Sequence, residues 1–451
     1  MKITVFTLLL FGLVLARDAA GQSGTRTGSF DMQGVDELTL FVDAGMSITI
    51  TGGTGTNLEY TYEFDGNKLA YERFFENFNP EFSRSGGSAD FNIDFPDRRQ
   101  KNKTIKVERH SLELLIPASL AFRIESEYST ITINNIERGV TVLNRSGNIQ
   151  LNNIQQGLYV ENEYGNITVR NVDGETSLNS RSSNIIASGI TGLLEIDAAY
   201  CSIEMDNIDG EIGISNQSGV ITLRDIRGSV DVTSDYTTFD IANITGNVTI
   251  GTKSGKITAV NAFSLEVSGM YTSVNARDIG GDVRIESRSA AIILENIDGR
   301  VGIEGGYLTM DLKSIRQNVL TYTKSGKINA HNLKKGFLFE GSYTTINLVA
   351  FEGSHIDIQN QSGEIEIETS SLFEDIQIEN TFGGILIALG STFEGFIDLT
   401  TMYGKITHDL PLQKDTYSED NNTIRMAGEV GSGSSRMVIE NDRGNIVIRQ
   451  Y

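Results

Sequence analysis

The sequence predicts an all-β fold, a single-stranded parallel β-helix (β-solenoid) of about 18 residues per rung; parallel crossovers favour right-handed coiling, although β-solenoids of both hands exist. Three observations predict it. A tyrosine or serine recurs at a fixed interval, aliphatic pairs two residues apart flank it at constant offsets, and Asn, Asp and Gly punctuate every repeat.

The recurring anchors are Tyr128, Ser146, Tyr164, Ser182, Tyr200, Ser218, Tyr236 and Ser254, each eighteen after the last. Tyr271 follows after seventeen, and Ser289, Tyr307, Ser325 and Tyr343 resume the spacing of eighteen. Ser362, Phe382 and Tyr403 extend the series at nineteen, twenty and twenty-one. Offsets three and five from each anchor are apolar (Ile131/Ile133, Ile149/Leu151, Ile167/Val169, Ile203/Met205), and so are offsets twelve and fourteen (Val140/Val142, Leu158/Val160, Val283/Ile285). A period of two means short strands with one face inward. Offset seven is mostly Asn or Asp (Asn135, Asn153, Asn171, Asn207, Asp225, Asn243, Asn261, Asp278, Asn296, Asn332), and Gly comes at ten or eleven. These are turn residues, since Gly supplies positive φ and Asn tolerates it. No apolar recurrence at three and four supports a helix. A lone rung buries too little to hold its chain in order, so the rungs must stack, each filling the open edge of the next.

Taken in order along the chain, Lys2, the apolar run 3–15 and Ala19-Ala20-Gly21 describe a signal peptide over 1–21, cut before Gln22. That run is short for a bilayer span, and no later stretch replaces it, so the mature chain is expected to have no transmembrane segment. Residues 22–127 read as irregular first rungs and a cap, with strand-like stretches at 38–42, 47–51 and 58–64. An insertion at 65–105 carries a short helix, an aromatic cluster (Tyr71, Phe74, Phe75, Phe78, Phe82) and a basic stretch (Arg98, Arg99, Lys101, Lys103). Residues 128–408 form the regular solenoid. Residues 409–451 form a C-terminal cap, polar and Gly/Ser-rich to 435, with last strands at 437–439 and 445–448.

Composition removes several function classes. A net charge of −22 repels nucleic acid and anionic membrane. Cys201 is the one cysteine, so no intramolecular disulfide forms. The stretch 251–256, Gly-Thr-Lys-Ser-Gly-Lys, is one residue short of a phosphate loop, and Ile257 stands where the magnesium-holding hydroxyl belongs. His110, His331, His355 and His408 have no metal-ligand spacing, and no Gly-x-Ser-x-Gly elbow occurs. Acidic residues at offset nine (Glu137, Asp173, Asp209, Asp298) could flank a sugar but recur with the turn and read as turn formers. No catalytic residue, cofactor or metal is expected.

The stretch Leu114-Leu-Ile-Pro-Ala-Ser-Leu and the units Ser146-Gly-Asn-Ile-Gln-Leu-Asn-Asn-Ile154, Ser218-Gly-Val-Ile-Thr-Leu-Arg-Asp-Ile226 and Ser325-Gly-Lys-Ile-Asn-Ala-His-Asn-Leu333 carry a resemblance. With the closing Arg443-Gly-Asn-Ile-Val-Ile448, they resemble a bacterial candidate-adhesin family of unknown function built from β-strand repeats, over roughly residues 110–450. The resemblance implies a secreted or envelope-associated β-solenoid of a Gram-negative-type bacterium and transfers no catalytic residue. Tyrosine at alternate corners and the 65–105 insertion depart from its pattern.

The candidate site is a ladder of Tyr128, Tyr164, Tyr200, Tyr236, Tyr271, Tyr307 and Tyr343, one ring on every second rung. In the simpler account each ring fills the small serine corner next door. In the other, the rings stack on an extended glycan. The chain is thus expected to be a non-enzymatic exported protein of the periplasm, outer surface or medium, an adhesin or scaffold whose partner is a glycan or another envelope or surface protein. The alternative is a carbohydrate-active β-helix, which needs carboxylates converging on one groove.

Overall fold

The computed structural model describes residues 17–18, 21–43, 45–95, 105–369 and 373–451. The expected signal peptide lies outside them except for 17–18 and Gly21, and so do Arg98, Arg99, Lys101 and Lys103. Two compact units divide the chain between Gly228 and Ser229. Among the described residues no helix is long and apolar enough to cross a membrane.

In the first unit each rung is a pair of strands. Val140–Ser146 and Ile149–Gln155 make one, Leu158–Tyr164 and Ile167–Asp173 the next. Their pairing is parallel and sets each residue beside the one eighteen further on: Val140 beside Leu158, Ile149 beside Ile167, Ile167 beside Ile185, Ile185 beside Ile203. The sequence period is therefore the register of a β-solenoid. Ile131, Ile149, Ile167, Ile185, Ile203 and Ile221 form one inner column, none more than 1% exposed. Each such side chain contributes roughly 1.5–3 kcal/mol on leaving water.

Strict alternation would turn offset seven inward, yet the buried positions are three, five and eight, as at Ile149, Leu151 and Ile154. The residue between them explains this. Asn135, Asn153, Asn171, Asn207 and Asp225 all adopt left-handed backbone, with φ between 54° and 59°. That twist shifts the alternation by one and bends the strand, so one more aliphatic faces the core.

Offset sixteen holds a second polar column, and this one is inside. Asn144, Asn162, Ser180 and Asn216 are buried. Asn144 Nδ2 donates to the carbonyls of Ser129 (3.0 Å) and Ser146 (3.1 Å) and to Asn162 Oδ1 (3.2 Å). Asn162 Nδ2 donates to the Gly147 and Gly165 carbonyls at 3.0 and 3.2 Å. The chain turns sharply here: Gly147 has φ +128°, and a Cβ on it would collide with the Ser129 carbonyl. Corner carbonyls that the ladder leaves unpaired thus find donors inside, which burial demands.

The second unit repeats the plan. Val283, Val301, Val319, Phe337, Ile356 and Ile376 are register partners in succession. The longer repeats keep the strands aligned, with Gly336 beside His355 and His355 beside Asp375, and place their extra residues at the corners. Ser287 and Thr323 fill offset sixteen, alternating with Gly305, whose Cβ would strike the Ser287 carbonyl.

Both ends depart from chain order. At the N-terminal end Glu37–Val42 and Ser47–Gly53 form a rung lying between two others. Ser88–Ile93 and Val107–Pro117 flank it outside, Ala121–Ser126 and Thr130–Ile136 inside. The outer edges are closed by antiparallel strands, Glu81–Ser85 on one face and Asn57–Gly66, then Gly21–Asp31, on the other. A single helical turn, Lys68–Ala70, leads into the π-turn Tyr71–Phe75, and the aromatic cluster packs as the cap's core: Tyr62 stacks on Phe78 with ring centres 3.9 Å apart, Phe30 on Phe82 at 4.4 Å.

At the C-terminal end the closing strands are not the last in space. Ser435–Arg443 pairs with both Asp375–Phe382 and Gly395–Met402, and Ile446–Gln450 with both Ile385–Leu389 and Ile406–His408. The last strands of the chain thus lie between the terminal rung and the rung before it. An antiparallel hairpin, Gln413–Asp420 and Thr423–Val430, seals the outer edge of Gly395–Met402. Its turn, Asn421-Asn422, has φ of 48° and 66°, the left-handed pair that tight hairpins use.

Candidate functional site

The anchor tyrosines sit where a strand ends and the chain turns. In the first unit they are Tyr128, Tyr164 and Tyr200; in the second Tyr236, Tyr271, Tyr307 and Tyr343. All seven are exposed, by 43–62%. Their register neighbours are serines: Tyr164 lies between Ser146 and Ser182, Tyr307 between Ser289 and Ser325, Tyr343 between Ser325 and Ser362. Within each unit the rings therefore recur at two rung spacings, roughly 9.6 Å. A serine corner is too small to cover a phenol, and about half of each ring faces outward, apolar body and hydroxyl together. Such a column can offer flat platforms at regular intervals.

The second unit's column ends differently. Because Ser435–Arg443 is threaded between Asp375–Phe382 and Gly395–Met402, the Arg443 guanidinium lies 5.2 Å from the Phe382 ring centre and 5.6 Å from that of Tyr403. Cation–π contact closes the aromatic row there.

The acidic turn residues do not converge. Asp209 is held by Arg227 of the next rung at 3.1 Å and Asp298 by Arg316 at 2.9 Å, while Lys334 holds Glu352 at 2.6 Å. At these three corners each carboxylate pairs with a basic residue of an adjacent rung instead of facing a second carboxylate across a bond. The segment 251–256 lies inside the strand Val230–Ile279, with Lys253 Nζ 2.8 Å from Asp235, and no loop is there to cradle phosphate. His110 belongs to the N-terminal cap, boxed by Tyr62, Phe64, Phe74 and Phe95 with ring centres 5.0–5.6 Å away. Burial holds its imidazole down to about 4, in the neutral form. His355 faces Asp375 at 3.7 Å.

One feature was not singled out by the sequence. Along the other corner of the second unit runs a groove of about 870 Å³, floored by the offset-seven residues from Asn243 to Asn332. Phe263 stands on its rim, 56% exposed. The signal was an aromatic at offset nine, where other repeats carry Glu137, Asp173, Asp209 and Asp298.

The model of the Toastrack DUF4097 family matches residues 35–278, more than half of the chain. No curated protein matches it. Among solved structures, the chain is similar at 7% identity to a candidate cell adhesion protein from Clostridium sporogenes, over 95% of this chain and 100% of that one, with a TM-score of 0.19. A candidate lipid binding protein from Parabacteroides distasonis is similar at 10% identity over 74% and 97% of the two chains, with a TM-score of 0.21. A candidate adhesin from Parabacteroides merdae is similar at 10% identity over 74% and 96%, with a TM-score of 0.16.

Proposed function

The chain belongs to the Toastrack DUF4097 family, and on that premise we propose that it is a non-enzymatic exported β-solenoid of the cell envelope or surface, an adhesin that meets an extended glycan along its tyrosine columns. One observation carries the reading: seven tyrosines at one position of the rung, each about half out in solvent, with serines on both sides of Tyr164, Tyr307 and Tyr343 in the register. Buried packing alone would not leave so much ring uncovered. An amphipathic ring stacks on the C–H face of a sugar while its hydroxyl stays wet. Export is supported by Lys2, the apolar run 3–15 and the small residues before Gln22. The net charge of −22 suits a neutral partner.

A glycan array probed with the mature chain tests this. Tyr200→Ala and Tyr236→Ala are each expected to weaken the strongest signals about threefold to tenfold, the worth of one stacked ring. Signals that survive both changes intact rule out the tyrosine columns as the contact.

A further inference from the structure

We infer that the groove on the second unit is a binding site for an extended, uncharged polysaccharide, distinct from the tyrosine corner, with Phe263 as its stacking platform and the carboxamides of Asn261, Asn296 and Asn332 as its hydroxyl partners. The inference rests on the adhesin reading only in taking the chain for a glycan binder.

Shape comes first. From Asn243 to Asn332 the groove floor spans five rung steps, about 24 Å, and the groove holds about 870 Å³. That is the form of a linear ligand. Its chemistry follows from the left-handed ladder. Asn261 Nδ2 donates to Asn243 Oδ1 at 2.9 Å, Asn296 Nδ2 to Asp278 Oδ1 at 2.9 Å, and Asn332 Nδ2 to Ser314 Oγ at 3.2 Å. A carboxamide has two N–H donors and two acceptor lone pairs. The ladder uses one donor of each, leaving a donor and a carbonyl oxygen on every such rung, side by side. A hydroxyl, which both gives and accepts, matches that pair; a phosphate or sulfate, which only accepts, does not.

Charge points the same way. The ions along the groove are already neutralised, Asp278 by Arg277 at 3.4 Å and Asp298 by Arg316 at 2.9 Å, so no spare cation awaits a polyanion. Phe263 supplies the apolar element. Gly280 and Gly281 on the next rung carry no side chain to cover its ring, and Thr245 precedes it. Aromatic platform, uncharged amides and rung-spaced repetition together describe a saccharide cleft, and the paired strands of the groove leave no open edge for a peptide to join as a further strand.

Affinity electrophoresis of the full chain tests this, in gels containing hydroxyethyl cellulose, laminarin, galactomannan or arabinoxylan, with alginate as the polyanion. At least one neutral polymer is expected to retard the parent protein. Phe263→Ala should weaken that retardation about tenfold, and Asn261→Gly, which keeps the left-handed backbone but removes the amide, about threefold or more. Gln150→Ala, exposed on the first unit and outside both proposed contacts, should leave it unchanged. Retardation by alginate alone, by no polymer, or equally for parent and Phe263→Ala overturns the groove. Loss with Tyr271→Ala but not with Phe263→Ala also overturns it while leaving the tyrosine reading standing; loss with Phe263→Ala alone upholds the groove and leaves the tyrosine columns to the glycan array.

Discussion

At φ near +55° the Cβ of an L-residue crowds its own carbonyl, at a cost of about 1–2 kcal/mol that Gly escapes and Asn tolerates best. Asn207, at φ 54°, occupies such a position, as do its counterparts Asn135, Asn153 and Asn171. The offset-seven ladder is thus required by backbone shape before any hydrogen bond is counted. The bonds that follow, such as Asn153 Nδ2 to Asn135 Oδ1 at 2.9 Å, add to it. Replacing Asn207 by Val should therefore cost about 1–3 kcal/mol, and replacing it by Gly much less. Urea unfolding of the two variants separates them: a common midpoint would mean that conformation is not what selects asparagine here. The buried column at offset sixteen obeys another rule. Asn162 is there to satisfy the Gly147 and Gly165 carbonyls, and a polar residue in a strand gives no sign in sequence of which way it points.

Elements in the middle of each unit were legible because their partners lie eighteen residues away and look alike. Ile149 and Ile167 announce each other. The end rungs were not legible, for the same physical reason inverted. Ser47 pairs with Thr130 and Ile378 with Ile439, across gaps with no period to reveal them. Reading Met437 and Ile446 as strand residues was within reach; placing them one rung in from the end was not, since composition does not encode stacking order. Phe263 is not legible as a site because a single aromatic at a turn carries no repeat signal. The threaded end has a consequence that can be measured. Removing residues 432–451 leaves a rung-wide gap beneath Gly395–Met402, stripping its parallel partner and exposing Ile397 and Leu399. Amide exchange over 395–430 should then rise to near the unprotected rate, with protection in residues 130–220 unchanged. Retained protection over 395–430 would mean that the antiparallel hairpin alone holds the terminal rung.

For the molecule as a whole, everything depends on rungs lying directly over one another, so that one eighteen-residue repeat advances the chain by one strand spacing and no more. In each unit the terminal edge is closed by antiparallel strands, which keeps its parallel rungs from templating aggregation. The constancy of the advance is also what turns a repeated tyrosine or asparagine into a column that a linear partner can read. Paired spin labels on the first unit measure it most directly, in a Cys201→Ala background. Thr132, Gln150, Thr168, Ile186, Glu204 and Thr222 are successive register partners. Labels at Thr132 and Glu204 should lie about 19 Å apart and labels at Thr132 and Thr222 about 24 Å, a step of about 4.8 Å for eighteen residues. Distances that do not grow by that step, or that scatter broadly, would contradict the stacked solenoid.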